Sequence, residues 1–108
     1  MLSVIVMALG FWSASAQGQM KAVDIAAAKA AFSAHSCGGC HEVSTYIVGP
    51  SIKEMAARYK GKKAEAAVAQ RIRAGSQDRW GGIPHPAFAA LNTQDATLLA
   101  KWILAGGP

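Results

Sequence analysis

Several kinds of residue are scarce in this chain of 108 residues, and each shortage narrows the possible functions. The two cysteines are too few for the four-ligand structural zinc sites built from pairs of Cys or His. The six acidic residues are scattered singly, so no paired carboxylates are available for acid–base catalysis. No run of alternating apolar and polar residues predicts a β-strand. No methionine follows Met55. These absences favour a small all-α domain without a catalytic centre made of side chains.

The two cysteines that are present form the most informative motif of the chain. Cys37 and Cys40 are separated by two glycines, and His41 follows directly. This order is typical of c-type haem attachment, in which both thiols add to haem vinyl groups and the imidazole binds iron. We therefore predict one haem c, covalently bound through Cys37 and Cys40. A thioredoxin-like redox disulfide remains the alternative, but it requires a βαβ pattern that the chain lacks.

The N-terminal segment predicts export. An uncharged apolar run from Leu2 to Trp12 precedes Ala14-Ser15-Ala16, which is typical of a signal peptide over residues 1–16 and indicates the periplasm. The run is much shorter than the roughly 20 residues that span a bilayer, so we expect no stable membrane insertion after cleavage. Because no Lys or Arg precedes it, a truncated start or a retained anchor stays open. For the residues after this segment we predict a flexible N-terminus over 17–23 and one domain over 24–108, since their number suffices for a single domain.

The formal net charge of +5 falls entirely after residue 16. A basic surface biases encounters toward acidic partners, so we expect redox protein partners with acidic docking surfaces. Lys60, Lys62 and Lys63 form a short cluster at an apparent turn, which favours a solvated loop and argues against nucleic acid binding.

Four helices are predicted from apolar residues at helical spacing. The first begins at a cap at Asp24 and leads to the cysteine motif, and the second stops at Gly61. The third covers 63–74 and ends at Gly75, and the last begins with Thr93 as its cap. A long loop rich in glycine and proline separates the last two helices, and loops of that length are usually functional. We predict an all-α domain wrapped around one haem.

Beyond the cysteine motif, four further segments resemble one family. The five matching segments are 37–41, 49–50, 70–75, 80–84 and 98–103. Together they resemble the class I cytochrome c family, specifically its short bacterial cytochrome c551-like type. The resemblance implies a class I cytochrome c fold of four to five helices around one covalently attached haem. It also implies an aromatic contact between Phe32 and Trp102 where the first and last helices cross.

Individual roles follow from the resemblance only where the motif is present. The resemblance implies that the Pro50 carbonyl accepts a hydrogen bond from His41, the first iron ligand, and so fixes which ring nitrogen faces the metal. It also implies that Arg71 and Trp80 contact the haem propionates. Without the resemblance, Trp80 reads as a core or stacking residue.

The chain departs from the family at the second iron ligand. The family places a methionine after the proline of the distal loop, whereas this chain has His85 between Pro84 and Pro86. The prolines restrict the backbone around the imidazole. We predict that His85 is the second ligand and gives a bis-histidine haem with a lower potential than methionine-ligated relatives have. The alternative is a solvent-facing His85 beside an open or water-bound iron.

His35 is expected at the end of the first helix.

The predicted function is that of a periplasmic monohaem c-type cytochrome that transfers single electrons between redox partners and is not itself an enzyme. Two alternatives remain open at this point. One is a haem protein whose open or labile distal site binds a small ligand. The other is the haem subunit of a larger oxidoreductase, for example one that acts on sulfur compounds.

Overall fold

A computed structural model describes residues 20–108 together with residues 7 and 10. The predicted signal peptide over 1–16 and the first part of the predicted flexible segment, 17–19, therefore lie outside the described residues, apart from those two positions. Within the described part of the chain, no helix is both long enough and apolar enough to cross a membrane.

The described residues form an all-α fold, as predicted. Its elements in chain order are α1 (Ala22–Ala34), a short 3-10 helix (Cys37–Gly39), α2 (Ile52–Tyr59), α3 (Glu65–Ala74) and α4 (Thr93–Leu104). In place of strands, residues 20–108 contain two isolated antiparallel bridges, one between His41 and Tyr46 and one between Ser76 and His85. The loop between α3 and α4 is irregular, as its glycines and prolines predict.

The helix α2 begins at a capping box. The Ser51 hydroxyl accepts a hydrogen bond from the Glu54 backbone N–H at 3.0 Å, and the Glu54 carboxylate accepts one from the Ser51 N–H at 2.7 Å. Two N–H groups that have no partner within the helix are thereby satisfied. Ser51 directly follows Pro50, so this cap also fixes the direction in which the chain leaves the segment beside His41.

Two of the predicted helix caps are wrong by one or a few residues. The helix α1 begins at Ala22 after Lys21, so Asp24 lies in its first turn, where a negative charge is favourable near the helix N-terminus. The cap of α4 is Asn92, whose side-chain oxygen accepts a hydrogen bond from the Asp95 N–H at 2.8 Å.

The start of the third helix also differs from its prediction. The helix α3 begins at Glu65 and not at residue 63, because Lys63 adopts a left-handed conformation with φ of 49°. The end at Gly75 is as predicted.

The core lies where α4 packs against α1, α2 and α3. Its buried residues are Ala28, Ala31, Ile52, Ala69, Ile72, Leu91, Ala96, Leu99, Ala100, Trp102 and Ile103. Alanines at the contacts allow close helix approach. The predicted contact between the first and last helices is confirmed, since the Phe32 and Trp102 rings meet edge to face with centroids 5.3 Å apart. Phe32 and other large apolar side chains around this core are only partly buried.

Candidate functional site

The cysteine motif forms a tight turn directly after α1. His35 ends the helix, and Ser36 turns the chain through a left-handed conformation with φ of 55°. In the turn that follows, the Cys40 and His41 N–H groups both donate to the Cys37 carbonyl, at 3.1 and 3.0 Å. The turn brings the first thiol and the imidazole into the wall of one cleft, and the second thiol lies beside that imidazole in the wall of an adjoining cleft.

Both thiols are free, and the surroundings of Cys37 do not favour a thiolate. Burial raises the pKa of the Cys37 thiol, a backbone hydrogen bond within the residue opposes this shift, and the neighbouring Cys40 adds to it. Reactive thiols of Cys-x-x-Cys redox motifs have lowered pKa values.

Among the described residues, no group of three or more His, Cys, Asp or Glu side chains could hold a metal ion by itself.

A backbone carbonyl fixes the orientation of the His41 imidazole through its Nδ1 atom. Its Nδ1 lies 2.7 Å from the Pro50 carbonyl oxygen and donates a hydrogen bond to it, which leaves Nε2 as the nitrogen with a free lone pair. Gly49 allows the ring to lie against the backbone, because a Cβ at this position would be 2.6 Å from His41 Cε1. The Gly49-Pro50 pair therefore supplies both the space and the hydrogen-bond acceptor for this ring.

The distal loop, residues 76–92 between the cap of α3 and the start of α4, supplies the second imidazole. His85 exchanges two backbone hydrogen bonds with Ser76, at 2.8 and 3.2 Å, and its Nδ1 is buried with no partner in hydrogen-bond geometry. Burial lowers the pKa of His85, the Pro86 backbone opposes the shift, and the nearby His41 lowers it further. A neutral imidazole is the form that binds a metal.

Both imidazoles lie in the wall of the same cleft. The ring centroids of His41 and His85 are 6.1 Å apart, and the ring planes are inclined by 32°. Bonds between a metal and imidazole nitrogen are about 2 Å long, so two imidazoles on opposite sides of one metal atom have centroids about 6 Å apart. The spacing therefore fits one shared metal atom.

The cleft around these rings has a volume of about 690 Å³, including space open to solvent. Partly buried apolar side chains form much of the wall: Phe32, Met55, Val68 and Phe88. A flat apolar group with its metal between the two imidazoles would complete their burial, so the lining, the free thiols and the ring spacing fit a covalently bound haem.

Both residues that the resemblance assigns to haem propionates lie in the wall of the cleft. The Arg71 guanidinium donates to the Tyr59 hydroxyl at 3.3 Å, and the Trp80 ring meets the Tyr59 ring edge to face at 6.4 Å. The side of the cleft formed by α3 and the following loop is therefore lined by aromatic and cationic groups.

Two residues that hold Trp80 were not predicted from the sequence. The Arg58 guanidinium lies 4.3 Å from the centroid of the Trp80 ring and donates to the Arg79 carbonyl at 2.6 Å. The Tyr46 hydroxyl donates to the Trp80 carbonyl at 2.7 Å. These contacts join positions 21 and 34 residues apart, so no local pattern indicates them.

His35, as expected, lies at the end of α1, where its ring packs against Phe88.

Comparisons with known proteins identify the family that this chain matches. The family model for cytochrome c matches residues 25–106. Cytochrome c-551 of Pseudomonas aeruginosa is 46% identical over 74 residues, which cover 68% of this chain and 70% of that protein. Cytochrome c-552 of Nitrosomonas europaea is 42% identical over 71 residues, which cover 65% of this chain and 69% of the relative.

Solved structures give the same result. The crystal structure of Nitrosomonas europaea cytochrome c552 superposes with a TM-score of 0.69 at 38% identity, covering 72% of this chain and 98% of that structure. The class 1 cytochrome MtoD from Sideroxydans lithotrophicus superposes with a TM-score of 0.68 at 28% identity, covering 77% of this chain and 96% of that one.

Proposed function

Because this chain belongs to the cytochrome c family, with one covalent haem c and the role of an electron carrier, we propose that His41 and His85 ligate its haem iron. The observation that carries the proposal is the distance of 6.1 Å between the two ring centroids. When bound, the haem supplies an iron that accepts and releases one electron. His85 stands where the resemblance to the family implies a methionine ligand.

The protein's own groups hold the two ligands in place. The Pro50 carbonyl accepts a hydrogen bond from the His41 Nδ1–H, which fixes the ring orientation and raises the basicity of the ligating nitrogen. The backbone of Ser76 holds the backbone of His85 from both its N–H and its carbonyl. Ligands fixed in this way keep the site unchanged during electron transfer, which suits a carrier that binds no substrate.

Carbon monoxide binding tests the proposal, because it requires an open position on ferrous iron. We expect the reduced holoprotein to bind carbon monoxide only slowly, at the rate at which His85 leaves the iron. Rapid, concentration-dependent binding would contradict the ligation and would support the alternative of an open distal site. The His85→Ala variant provides the positive control for an open position.

The electron partners are proposed to present acidic surfaces. The net charge of +5 and the exposed Arg58 and Arg79 beside the cleft support this proposal. We expect oxidation by an anionic inorganic complex to slow as ionic strength rises, and oxidation by a cationic complex to accelerate. The opposite order would contradict a basic contact surface.

We also propose that residues 1–16 direct export of the protein to the periplasm and are then removed. The apolar run and the Ala14-Ser15-Ala16 sequence support export. Cell fractionation of a strain that expresses the full chain, followed by the intact mass of the haem protein, tests the proposal. A mass that still includes residues 1–16, or a haem protein confined to membranes, would contradict it.

One observation favours a second candidate, the haem subunit of a larger oxidoreductase. Four apolar side chains are between 42% and 64% exposed: Tyr46, Ile47, Val48 and Ile83. Val48 and Ile83 border the adjoining cleft, in whose wall Cys40 lies. Exposed apolar side chains that lie together are typical of interaction surfaces. Gel filtration of a freshly prepared periplasmic extract separates the candidates, since a carrier elutes at the size of the single chain and a subunit elutes with a larger complex.

A further inference from the structure

We propose that Gly75 is the positioning residue for His85, because its lack of a side chain lets the end of α3 contact the backbone of the distal loop directly. This contact holds the imidazole of His85 where it ligates the iron. The inference rests on the proposed ligation by His85 and adds to it a residue that touches neither haem nor iron.

The backbone of Gly75 adopts a conformation that other residues rarely adopt. Its φ is +80° and its ψ is 172°, a region that is essentially restricted to glycine. Its N–H donates to the Arg71 carbonyl at 2.8 Å and so closes the last turn of α3. The glycine therefore ends the helix and turns the chain toward the distal loop in one step.

The same glycine lies in direct contact with the loop that carries the ligand. A Cβ at position 75 would be 2.8 Å from the His85 carbonyl oxygen and 3.3 Å from the Ala87 nitrogen. Both are backbone atoms, so a change of side-chain rotamer cannot relieve the overlap. Any side chain at position 75 must therefore push the segment around His85 away from α3.

Hydrogen bonds on either side of this contact transmit such a movement. The Ser76 N–H donates to the His85 carbonyl, the His85 N–H donates to the Ser76 carbonyl, and the Phe88 N–H donates to the Ile72 carbonyl at 3.1 Å. Binding constellations must be held within about 0.5 Å of their productive geometry. A shift large enough to accommodate a methyl group at position 75 is therefore sufficient to weaken the bond between His85 and iron.

The structure offers a matched control for the substitution Gly75→Ala. Gly61 also has a positive φ, +74°, but a Cβ there would have no atom within 4 Å. Gly61→Ala therefore introduces an alanine at positive φ without the collision. A difference between the two variants reports on the surroundings of position 75 and not on the cost of a positive φ alone.

The test compares carbon monoxide binding to the ferrous holoproteins of the wild type and both variants. We expect Gly75→Ala to bind at least about tenfold faster than the wild type, because strain of this size shifts a two-state equilibrium by an order of magnitude or more. Gly61→Ala should bind at the wild-type rate. A wild-type rate in Gly75→Ala would overturn the role of Gly75 alone, whereas rapid binding in the wild type would overturn the ligation by His85.

A measurement on the wild type keeps the inference testable if Gly75→Ala does not fold. The amide protons of Ser76 and His85 are expected to exchange with solvent as slowly as those in the core of α4, because both take part in the contact. Exchange of these two amides through a local opening that leaves α4 protected would contradict the inference, since the loop would then detach from α3 independently.

Discussion

At the scale of single residues, the identity of the distal ligand decides the redox behaviour. Imidazole is a stronger donor than a thioether and stabilises ferric iron relative to ferrous iron, whereas Met/His ligation raises the haem potential. If His85 ligates the iron as proposed, we expect a potential below that of a cytochrome c with methionine as the second ligand. Its pKa is lowered mainly by burial, so the neutral ring that binds metal is favoured at neutral pH.

Replacing His85 by methionine tests this chemistry directly. We expect His85→Met to raise the midpoint potential by more than about 100 mV, within the range of about 0.8 V over which axial ligands set haem potentials. Potentiometric titration of the holoprotein measures the change. His35→Met is the matched control, because His35 lies at the end of α1 outside the cleft wall, and its potential should equal that of the wild type.

Arg58 is predicted to stabilise the position of Trp80. Its guanidinium stacks on the Trp80 ring and donates to the Arg79 carbonyl, and Arg58→Met removes both contacts while keeping most of the apolar stem. Cation–π contacts at exposed sites contribute about 0.5–1 kcal/mol, and we expect a loss of this size in the free energy of unfolding. Denaturant unfolding measures it. An equal loss in Lys62→Met, which removes the same charge nearby, would contradict a specific contact.

The cysteine motif could be predicted from the sequence because its residues are adjacent, whereas the role of His85 as second ligand stays a prediction that rests on its place between two prolines. Arg58 and Tyr46 could not be predicted, because each acts on a backbone carbonyl that only the folded chain brings near. Gly75 was predicted as a helix end, but its contact with His85 depends on the packing of the distal loop.

At the scale of elements, the apolar spacing predicts all four helices, while their first residues depend on local hydrogen bonds. A cap is defined by which side chain accepts from the free N–H groups, and Asn92 and Thr93 are both good candidates by residue type. Only the backbone conformation separates them. Asn92 is extended, with φ of −69° and ψ of 162°, and Thr93 is the first helical residue.

A pair of substitutions tests whether Asn92 or Thr93 is the N-cap of α4. We expect Asn92→Ala to lower the free energy of unfolding by about 1 kcal/mol, because the Asp95 N–H loses its acceptor. Thr93→Ala should change it by less than about 0.5 kcal/mol, as is usual for surface positions without such a role. Thermal unfolding of the two holoproteins measures both values, and a larger effect for Thr93→Ala would restore the original prediction.

At the scale of the whole molecule, we expect the haem to be part of the core. A domain of this size buries a limited apolar area by itself, and several apolar side chains that line the cleft are only partly buried. A haem held in this cleft would bury them further. The sequence predicts this architecture through the cysteine motif, whereas the shape of the cleft required the structure.

Preventing haem attachment tests this view of the core. We expect the double variant Cys37→Ser with Cys40→Ser, prepared without haem, to lose its cooperative thermal transition and much of its helical circular dichroism signal. The reason is that a group bound only by the native state contributes its binding free energy to folding. A haem-free chain that keeps wild-type helicity and a sharp transition would show that the helices pack without the cofactor.

Low-temperature EPR of the ferric holoprotein tests the central claim, the ligation of one haem by His41 and His85, most directly. The account predicts a low-spin spectrum without a high-spin component in the wild type, and a different low-spin spectrum in His85→Met. A high-spin signal in the wild type, or the same spectrum in both proteins, would contradict it.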